Sequence, residues 1–481
     1  MFMISDDLKE VRSYTLGVRL MEGKKTGSKI NDQISSILEK FGLSDKKINA
    51  VTDAGGNVQL AAELAEMEQH LCLGHGLHNL IVVDGLQKSL LIRTLLTKVK
   101  SIVRAVRYRA ADLEIEAKGE QRKKILAMID VNDILDADEE NPFPTNEEEA
   151  LQEDDDGETP ASETDQGNAA SQTTPKFQAP KTVKNESATR WFSTLEMCAS
   201  IDEENRTPVN TIMLRIGRDD LVLSASEWKL LRALVKFLEL FRNIVTLMSA
   251  EKSCTINIAL LMRSEIESCL INDDNDPLPI AEMKNFMKQK LDHRFPVTDL
   301  VVTAALLDPR FHSLNEVEAP LAKKDMSKAQ FLVDQMSERL KESDVRLSTT
   351  ASSTSASSSS GSSAVDLASL ARKHSSIISQ ETRAKEAEAQ TYLATSSVSS
   401  VQDGDVLAYW RERLAQYPSL CALVKAVLHI PCTSTPVERV FSIDGIIVNA
   451  KRSRLAPNTI DKVTFIHDNY ETCKNAFTEL D

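Results

Sequence analysis

Several features that define common classes of protein are missing from this 481-residue sequence. No uninterrupted apolar run reaches the ~18 residues that a membrane-spanning helix needs. The N-terminal residues lack the basic and apolar regions of a signal peptide. The seven cysteines are dispersed, and none forms a C-x-x-C pair, which argues against a disulfide framework and a typical zinc finger. We therefore expect a protein of the nucleus, or alternatively of the cytoplasm, with no membrane partner.

Basic residues are missing from residues 130–165, which contain sixteen Asp or Glu. The formal net charge of −15 comes from this tract, because the remaining residues are close to neutral. The overall acidity therefore neither favours nor excludes nucleic-acid contacts elsewhere in the chain. Low hydrophobicity and high charge predict that residues 130–186 form a disordered acidic insert.

Hydrophobic patterning divides the rest of the chain into four parts. Residues 11–110 alternate strand-like and helix-like segments, which predicts an α/β region. Residues 187–340 have helical spacing of apolar residues. Residues 348–363 contain ten Ser and three Thr, so we predict a flexible Ser-rich linker over 341–403. Residues 404–470 are again predicted to be helical and compact.

The α/β region carries the clearest local signals. The predicted strands are Ser13–Leu20, Lys47–Asp53 and His70–His75. The predicted helices are Ile30–Phe41, Val58–Gln69 and a long helix over Leu77–Arg109.

Asp53 is the first candidate for chemistry, because it ends a predicted strand and precedes the Gly-rich turn at 54–57. Ligands of open α/β sheets bind beyond the carboxyl ends of the strands, where a carboxylate is suited to holding Mg²⁺ against a phosphate. The alternative is an ordinary turn Asp, with Gly and Asn present for backbone reasons.

Two further patterns are open to more than one interpretation. Cys72 and His75 have the residue types of a metal site, but one C-x-x-H pair is equally typical of a packed Cys and a hydrogen-bonded His. Arg190 and Trp191 follow the acidic insert, where they could contact phosphate and bases. Trp191 could equally anchor the helix that begins there.

Near the C-terminus, residues 435–438 read Thr-Pro-Val-Glu, which predicts a helix start with Thr435 as N-cap and Glu438 in a capping box. The apolar residues that follow would suit a protein partner. The basic turn Lys451, Arg452 and Arg454 could contact phosphate, act as a nuclear signal, or complement a helix dipole.

Taken in order, these segments resemble the hAT family of DNA transposases. The resemblance rests on Thr52-Asp53-Ala-Gly-Gly-Asn57, Cys72-Leu-Gly-His75, Thr189-Arg190-Trp191, and Glu438-Arg439-Val-Phe441-Ser442 followed by Lys451-Arg452-Ser453-Arg454-Leu455. It implies an RNase H-like core interrupted by a large helical insertion domain. It also implies a C-terminal dimerisation region, in which Arg439, Phe441, Ile443, Ile446 and Ile447 are the candidate dimer residues.

The resemblance also assigns roles to individual residues. Asp53 matches the second catalytic acid of the family and Glu438 the third, and these acids would hold Mg²⁺ or Mn²⁺ in an active enzyme. Cys72 and His75 match a structural pair. Trp191 matches a tryptophan that acts on DNA ends, and Arg190, Lys451, Arg452 and Arg454 are the other candidate DNA contacts.

The same resemblance implies that parts of the family pattern are missing. Only 52 residues precede Asp53, and Ser13–Leu20 resembles the third core strand. The first core strands, the first catalytic acid and a BED zinc finger are therefore expected to be absent. We predict a transposase-derived protein that self-associates and retains some DNA contact, without transposition activity. One alternative is an active metal-dependent cut-and-paste transposase, whose first acid is Asp6 or Asp7 or is supplied by a missing N-terminal part. The other is an interaction scaffold that does not bind DNA.

Overall fold

Helices dominate the computed structural model of the chain, which describes residues 1–107, 109, 112–119, 184, 191–201, 205–350, 367–395, 405–447 and 456–478. The described strands are β1 (Phe2–Ile4), β2 (Val11–Ser13), β3 (Asn49–Thr52) and β4 (Glu68–Leu71). They form two separate pairs, β1–β2 antiparallel and β3–β4 parallel. The mixed, helix-rich class is therefore confirmed, whereas an RNase H-like core remains a prediction.

The helices of the first part of the chain are α1 (Gly27–Lys40), α2 (Gly56–Leu64), α3 (Leu73–Ile81) and α4 (Leu90–Val106), followed by α5 (Trp191–Ile201), α6 (Arg206–Arg215) and α7 (Ala225–Met248). Those of the second part are α8 (Ala259–Cys269), α9 (Leu278–Arg294), α10 (Asp299–Leu306), α11 (Asn315–Ala322), α12 (Lys328–Thr350), α13 (Leu367–Leu393), α14 (Val406–Glu412), α15 (Pro418–Val427), α16 (Thr435–Ile447) and α17 (Pro457–Thr478). Within the described residues, none of these helices combines the length and apolar character needed to cross a membrane.

The chain divides into two compact units, residues 1–93 with 233–481, and residues 94–232. These boundaries differ from the five ranges predicted from composition. Most of the predicted acidic insert at 130–186 lies outside the described residues. The predicted linker at 341–403 contains the end of α12 and all of α13. Alanine and long charged residues favour a helix there, and its C-terminal part is held by the buried Ala389 and Tyr392.

The predicted strand over Ser13–Leu20 is wrong beyond Ser13, where β2 ends. Residues 14–18 bond instead to side chains of α17. Asn469 accepts the N–H of Thr15 at 3.0 Å and donates to the Thr15 carbonyl at 2.8 Å, while Asp461 accepts the N–H of Val18 at 2.8 Å. Side chains more than 440 residues away thus satisfy backbone groups that a neighbouring strand would otherwise bind.

The end of the α/β region also differs from its prediction. The strand predicted at His70–His75 ends at Leu71, because Cys72 caps α3 by accepting the His75 N–H at 3.3 Å. The single helix predicted over Leu77–Arg109 is instead two helices. A π-type turn at Val82–Leu86 follows α3, and α4 begins at Leu90.

Buried aromatic side chains attach the C-terminal helices to α10. Tyr392 and Trp410 lie against each other with ring centroids 5.0 Å apart. The Tyr392 hydroxyl donates to the Leu306 carbonyl and the Trp410 indole N–H to the Leu307 carbonyl, both at 2.8 Å. These bonds satisfy carbonyls at the end of α10, which have no partner within that helix.

Helix α3 approaches α9 so closely that one position admits only glycine. A Cβ atom on Gly76 would lie 1.9 Å from the Arg294 carbonyl oxygen. Beside this contact the Arg294 Nε donates to the buried Asp84 carboxylate at 2.7 Å. The close approach therefore places α3, and the Cys72 cap that begins it, against the helical part of the same unit.

We expect Gly76→Ala to destabilise the protein by at least about 1–3 kcal/mol, because the added methyl must push α3 away from α9. Gly56→Ala is the matched control, since nothing lies within 4 Å of a Cβ at Gly56 and alanine favours a helix. Urea unfolding followed by circular dichroism compares the two variants. Equal midpoints for both would contradict the close-packing interpretation.

Candidate functional site

The candidate site is built where the C-terminal segment reaches the carboxyl ends of β3 and β4. The Cys72 N–H donates to the Thr52 carbonyl at 2.7 Å, which continues the pairing of the two strands. The Leu73 N–H donates to the Cys432 carbonyl at 2.9 Å. The segment that precedes α16 is thereby bound directly to the residue after β4.

The Cys72 sulfur is the centre of this junction. It accepts the N–H of Ser434 at 3.2 Å and the hydroxyl of Ser434 at 3.3 Å, in addition to the His75 N–H. A Cβ atom on Gly74 would lie 2.9 Å from Thr433 Cγ2, so a larger residue would separate the two segments. We call Cys72, Leu73, Gly74 and residues 432–434 the sulfur junction.

Cys432 extends the junction to a third part of the chain. Its N–H donates to the Thr255 hydroxyl at 3.0 Å, and its thiol donates to the Thr255 carbonyl at 2.8 Å. Burial strongly raises the pKa of the Cys432 thiol, although the hydrogen bond with Thr255 lowers it. Cys432 is therefore a neutral packing residue.

Asp53 lies directly after β3 and is exposed. Its carboxylate accepts the Gly55 N–H at 3.1 Å, which is the local turn bond expected of an Asp in this position. A Cβ atom on Gly55 would lie 3.0 Å from the same carboxylate oxygen. The interpretation of Asp53 as a turn residue thus accounts for its hydrogen bond with Gly55. Because Asp53 is exposed, its carboxylate is also accessible to solvent.

Glu438 lies in the first turn of α16 and is also exposed. The helix begins one residue earlier than a Thr435 N-cap predicts, because the N–H groups of Val437 and Glu438 point to the Ser434 carbonyl, at 3.0 and 3.4 Å. Glu438 is close enough to His78 to raise the pKa of that imidazole, although burial has the larger effect and lowers it. The sulfur junction therefore fixes the start of α16, which carries Glu438, beside the residues that follow β4.

Two acids do not make a complete metal site. Among the described residues, no three His, Cys, Asp or Glu side chains converge in a way that could hold a metal ion. Cys72 is turned to Ser434, and the rings of His75 and His78 stack with centroids 6.0 Å apart. The described residues therefore do not supply the ligands of a two-metal centre for Mg²⁺ or Mn²⁺.

Of the candidate DNA contacts, only Trp191 lies within the described residues. Arg190, Lys451, Arg452 and Arg454 lie outside the described residues. Trp191 is only 4% exposed and stacks on Phe192 with ring centroids 4.2 Å apart. Its burial favours the role of an aromatic anchor for α5.

Comparison with known proteins agrees with this arrangement of segments. Residues 388–470 match the model of the hAT family C-terminal dimerisation region. The resemblance to the hAT family is confirmed. The match starts at residue 388, not at the predicted 404, so the dimerisation region includes Tyr392 and its bond to α10.

The chain is also similar to three longer hAT-family relatives. It is 21% identical to a putative AC transposase of Zea mays over 60% of this chain and 37% of that protein. It is 25% identical to the zinc finger BED domain-containing protein DAYSLEEPER of Arabidopsis thaliana, over 50% of this chain and 34% of that protein. It is 24% identical to the human zinc finger BED domain-containing protein 4, over 58% of this chain and 23% of that protein. The matches thus span about a quarter to just over a third of these relatives.

The hAT dimerisation region presents five exposed apolar side chains, of which only Phe441 was among the dimer residues predicted from the sequence. Val437 and Phe441 lie four residues apart on α16 and are 51% and 59% exposed. Val463, Ile466 and Tyr470 share one face of α17 and are 41%, 62% and 57% exposed. Their spacing of three to four residues is detectable in the sequence, but only the fold shows which face is left outside. We call these five residues the apolar faces of α16 and α17.

The dimer residues predicted from the resemblance have mixed positions. Phe441 belongs to the apolar faces. Arg439 pairs with Glu251 and donates to the Ser249 carbonyl at 3.0 Å, so it holds α16 to the end of α7 within its own chain. Ile443, Ile446 and Ile447 belong to α16, and their assignment as dimer residues stays a prediction.

Four histidines that are buried or half-buried should make the fold sensitive to acid. Burial is the largest cause of a lowered pKa for His70, His78, His312 and His429. The unfolded chain therefore binds more protons than the folded chain between these lowered values and about 6.5. The contribution of these histidines to stability is therefore fully present above about pH 7 and is lost as the pH drops through this window.

We expect the urea midpoint to decrease between pH 7.5 and about pH 5.5. His429→Gln should reduce this dependence, because it removes one of the buried imidazoles. His293→Gln, at an exposed position of α9, should leave the dependence unchanged. A midpoint that stays constant or rises on acidification would contradict the assignment.

Proposed function

We propose that the chain is a transposase-derived protein that associates with a second copy of itself through the apolar faces of α16 and α17. The observation that supports this most directly is the exposure of five large apolar side chains within the region that matches a dimerisation family. We propose the nucleus as its compartment, in line with the transposase and BED-finger names of its relatives.

The free energy gained by burying the apolar faces of α16 and α17 is of the size that association requires. Single exposed apolar residues are normal on a protein surface, whereas here α16 packs against α17 and both helices carry such residues. Burying a fully exposed large apolar side chain contributes about 1.5–3 kcal/mol. These five side chains are 41–62% exposed, so each contributes about half of that, and a two-fold interface uses each residue twice. Even after the entropic cost of association, micromolar affinity, which corresponds to about −8 kcal/mol, is within reach.

The wild-type protein should be a dimer or larger at micromolar concentration, measured by light scattering coupled to gel filtration. The double variant Phe441→Glu/Ile466→Glu should shift the mass to that of a monomer, because each carboxylate would be buried without a partner. Both positions are exposed in the single chain, so the variant is expected to fold.

Leu278→Glu is the control, because Leu278 is 71% exposed but lies on α9, outside the dimerisation region. It should keep the oligomeric mass. A wild-type monomer, or an equal loss of mass in both variants, would refute association through α16 and α17.

The alternative function, metal-dependent DNA cleavage, is favoured by one observation. The sulfur junction binds the segment that begins α16 to the residues after β4, and the hAT resemblance implies that Asp53 and Glu438 are the second and third catalytic acids. The ligand set found among the described residues argues against cleavage. A two-metal mechanism needs enough carboxylates to bind both ions.

We therefore expect no nicking of supercoiled plasmid by this chain with Mg²⁺ or Mn²⁺. Gel analysis of the nicked form, with EDTA and the variants Asp53→Ala and Glu438→Ala as controls, tests this. Cleavage that requires the metal and both acids would establish the enzyme and overturn the proposal of a non-catalytic protein.

A further inference from the structure

A cavity of about 570 Å³ lies between α8 and α11, within the unit formed by residues 1–93 and 233–481. Pockets that bind small ligands have volumes of about 300–1,000 Å³. Each helix presents one face to the cavity, with residues spaced at i, i+3, i+4 and i+7. These residues are Leu260, Arg263, Ser264 and Glu267 on α8, and Glu316, Ala319, Pro320 and Lys323 on α11 or at its end. We call this space the α8–α11 cavity.

Apolar side chains from neighbouring elements complete the lining. Val302 of α10 and Phe331 of α12 are each only 2% exposed, and Leu321 of α11 is 3% exposed. Val297, in the loop after α9, is 40% exposed at the cavity. A ligand that fills this space gains from burying apolar groups of its own against these side chains.

Five of the seven charged side chains that line the cavity are paired with one another. The buried Arg263 donates to Glu267 at 2.9 Å and to Asp292 at 2.5 Å, and also to two carbonyls at the end of α9. Lys324 donates to Asp299 at 2.5 Å. Arg263 thereby ties α8 to α9 and holds this wall of the cavity in place, which lowers the ordering cost of binding.

The other two charges lie at opposite ends of one face of α11. Within the part of the chain that the structure describes, neither Glu316 nor Lys323 forms an ion pair, and the Glu316 carboxylate accepts the Ser264 hydroxyl at 3.3 Å. Pro320 has no N–H, so the Glu316 carbonyl also lacks its usual helical donor four residues on. Seven residues of α-helix separate the two charges by about 10.5 Å. The cavity therefore offers an anionic, acceptor-rich end and a cationic end.

We infer that the α8–α11 cavity binds a short extended peptide segment of a partner protein, with a basic and an acidic side chain three residues apart. In the polyproline II conformation, residues i and i+3 lie on the same side of the chain and about 9.3 Å apart. The basic side chain binds at Glu316 and the acidic one at Lys323. The two residues between them pack on Val297 and Pro320. A helical ligand, about 10–12 Å wide, is too large for this volume.

Fluorescence anisotropy tests the inference on the full chain, with the dye-labelled peptide Gly-Arg-Pro-Pro-Glu-Gly as the probe. We expect saturable binding with a dissociation constant below about 100 μM. The peptides Gly-Gln-Pro-Pro-Glu-Gly and Gly-Arg-Pro-Pro-Gln-Gly each lack one charge. Each should bind at least about fivefold more weakly, because it loses one ion pair at the cavity.

The decisive variant is Glu316→Lys/Lys323→Glu, which exchanges the two charges and keeps the net charge. It should lose at least about tenfold in affinity for the first peptide and gain binding of Gly-Glu-Pro-Pro-Arg-Gly. A folding defect cannot produce this gain. The matched control is Glu282→Lys/Lys290→Glu, which exchanges charges at exposed positions of α9 outside the cavity. It should keep the preference of the wild type.

Three results would overturn the inference. The wild type could show no saturable binding of the first peptide, or bind all the peptides equally, or share its preference with the charge-exchanged variant. None of these results bears on the proposed self-association, because the apolar faces of α16 and α17 contribute no residue to the α8–α11 cavity.

Discussion

The arrangement of the candidate site depends on the sulfur junction. Hydrogen bonds to sulfur are individually weak, but here the Cys72 sulfur accepts three donors, and two of them come from Ser434, 362 residues further along the chain. The buried Cys432 adds Thr255 from a third segment. Because these groups are buried, separating the segments would leave polar atoms without partners. The junction thereby sets where α16 begins, and with it the position of Glu438 relative to β3 and Asp53.

The hAT dimerisation region completes this unit of the fold as well as presenting a surface for association. One end is bound to α10 through the Tyr392 and Trp410 side chains, which satisfy two carbonyls at the helix terminus. The other end binds residues 14–18 through Asp461 and Asn469 on α17. With its inner contacts used in this way, the region leaves the apolar faces of α16 and α17 on the outside. The packing that holds the region to its own chain thus also leaves these two faces exposed.

Assembly and chemistry make different demands on such a chain. An apolar interface needs side chains of suitable size on one face, and it tolerates changes elsewhere in the protein. A two-metal centre needs several carboxylates held together. The described residues include a set of exposed apolar side chains on α16 and α17. Of the carboxylates that a two-metal centre needs, they include only Asp53 and Glu438 as candidates. The described residues therefore favour the proposed association through the hAT region over the alternative of metal-dependent cleavage.

Local patterns in the sequence determined helix α1, strand β3 with Asp53 at its end, and the order of segments that resembles the hAT family. These depend on apolar periodicity and on residues within a few positions of one another. Only the tertiary structure decided that the Cys72 sulfur binds Ser434, that residues 14–18 bond to α17, that Trp191 is buried, and that Arg439 binds its own chain while Phe441 stays exposed. Each of these outcomes depends on a partner in another element or on what the neighbouring helices cover, and spacing along the sequence carries no information about such contacts.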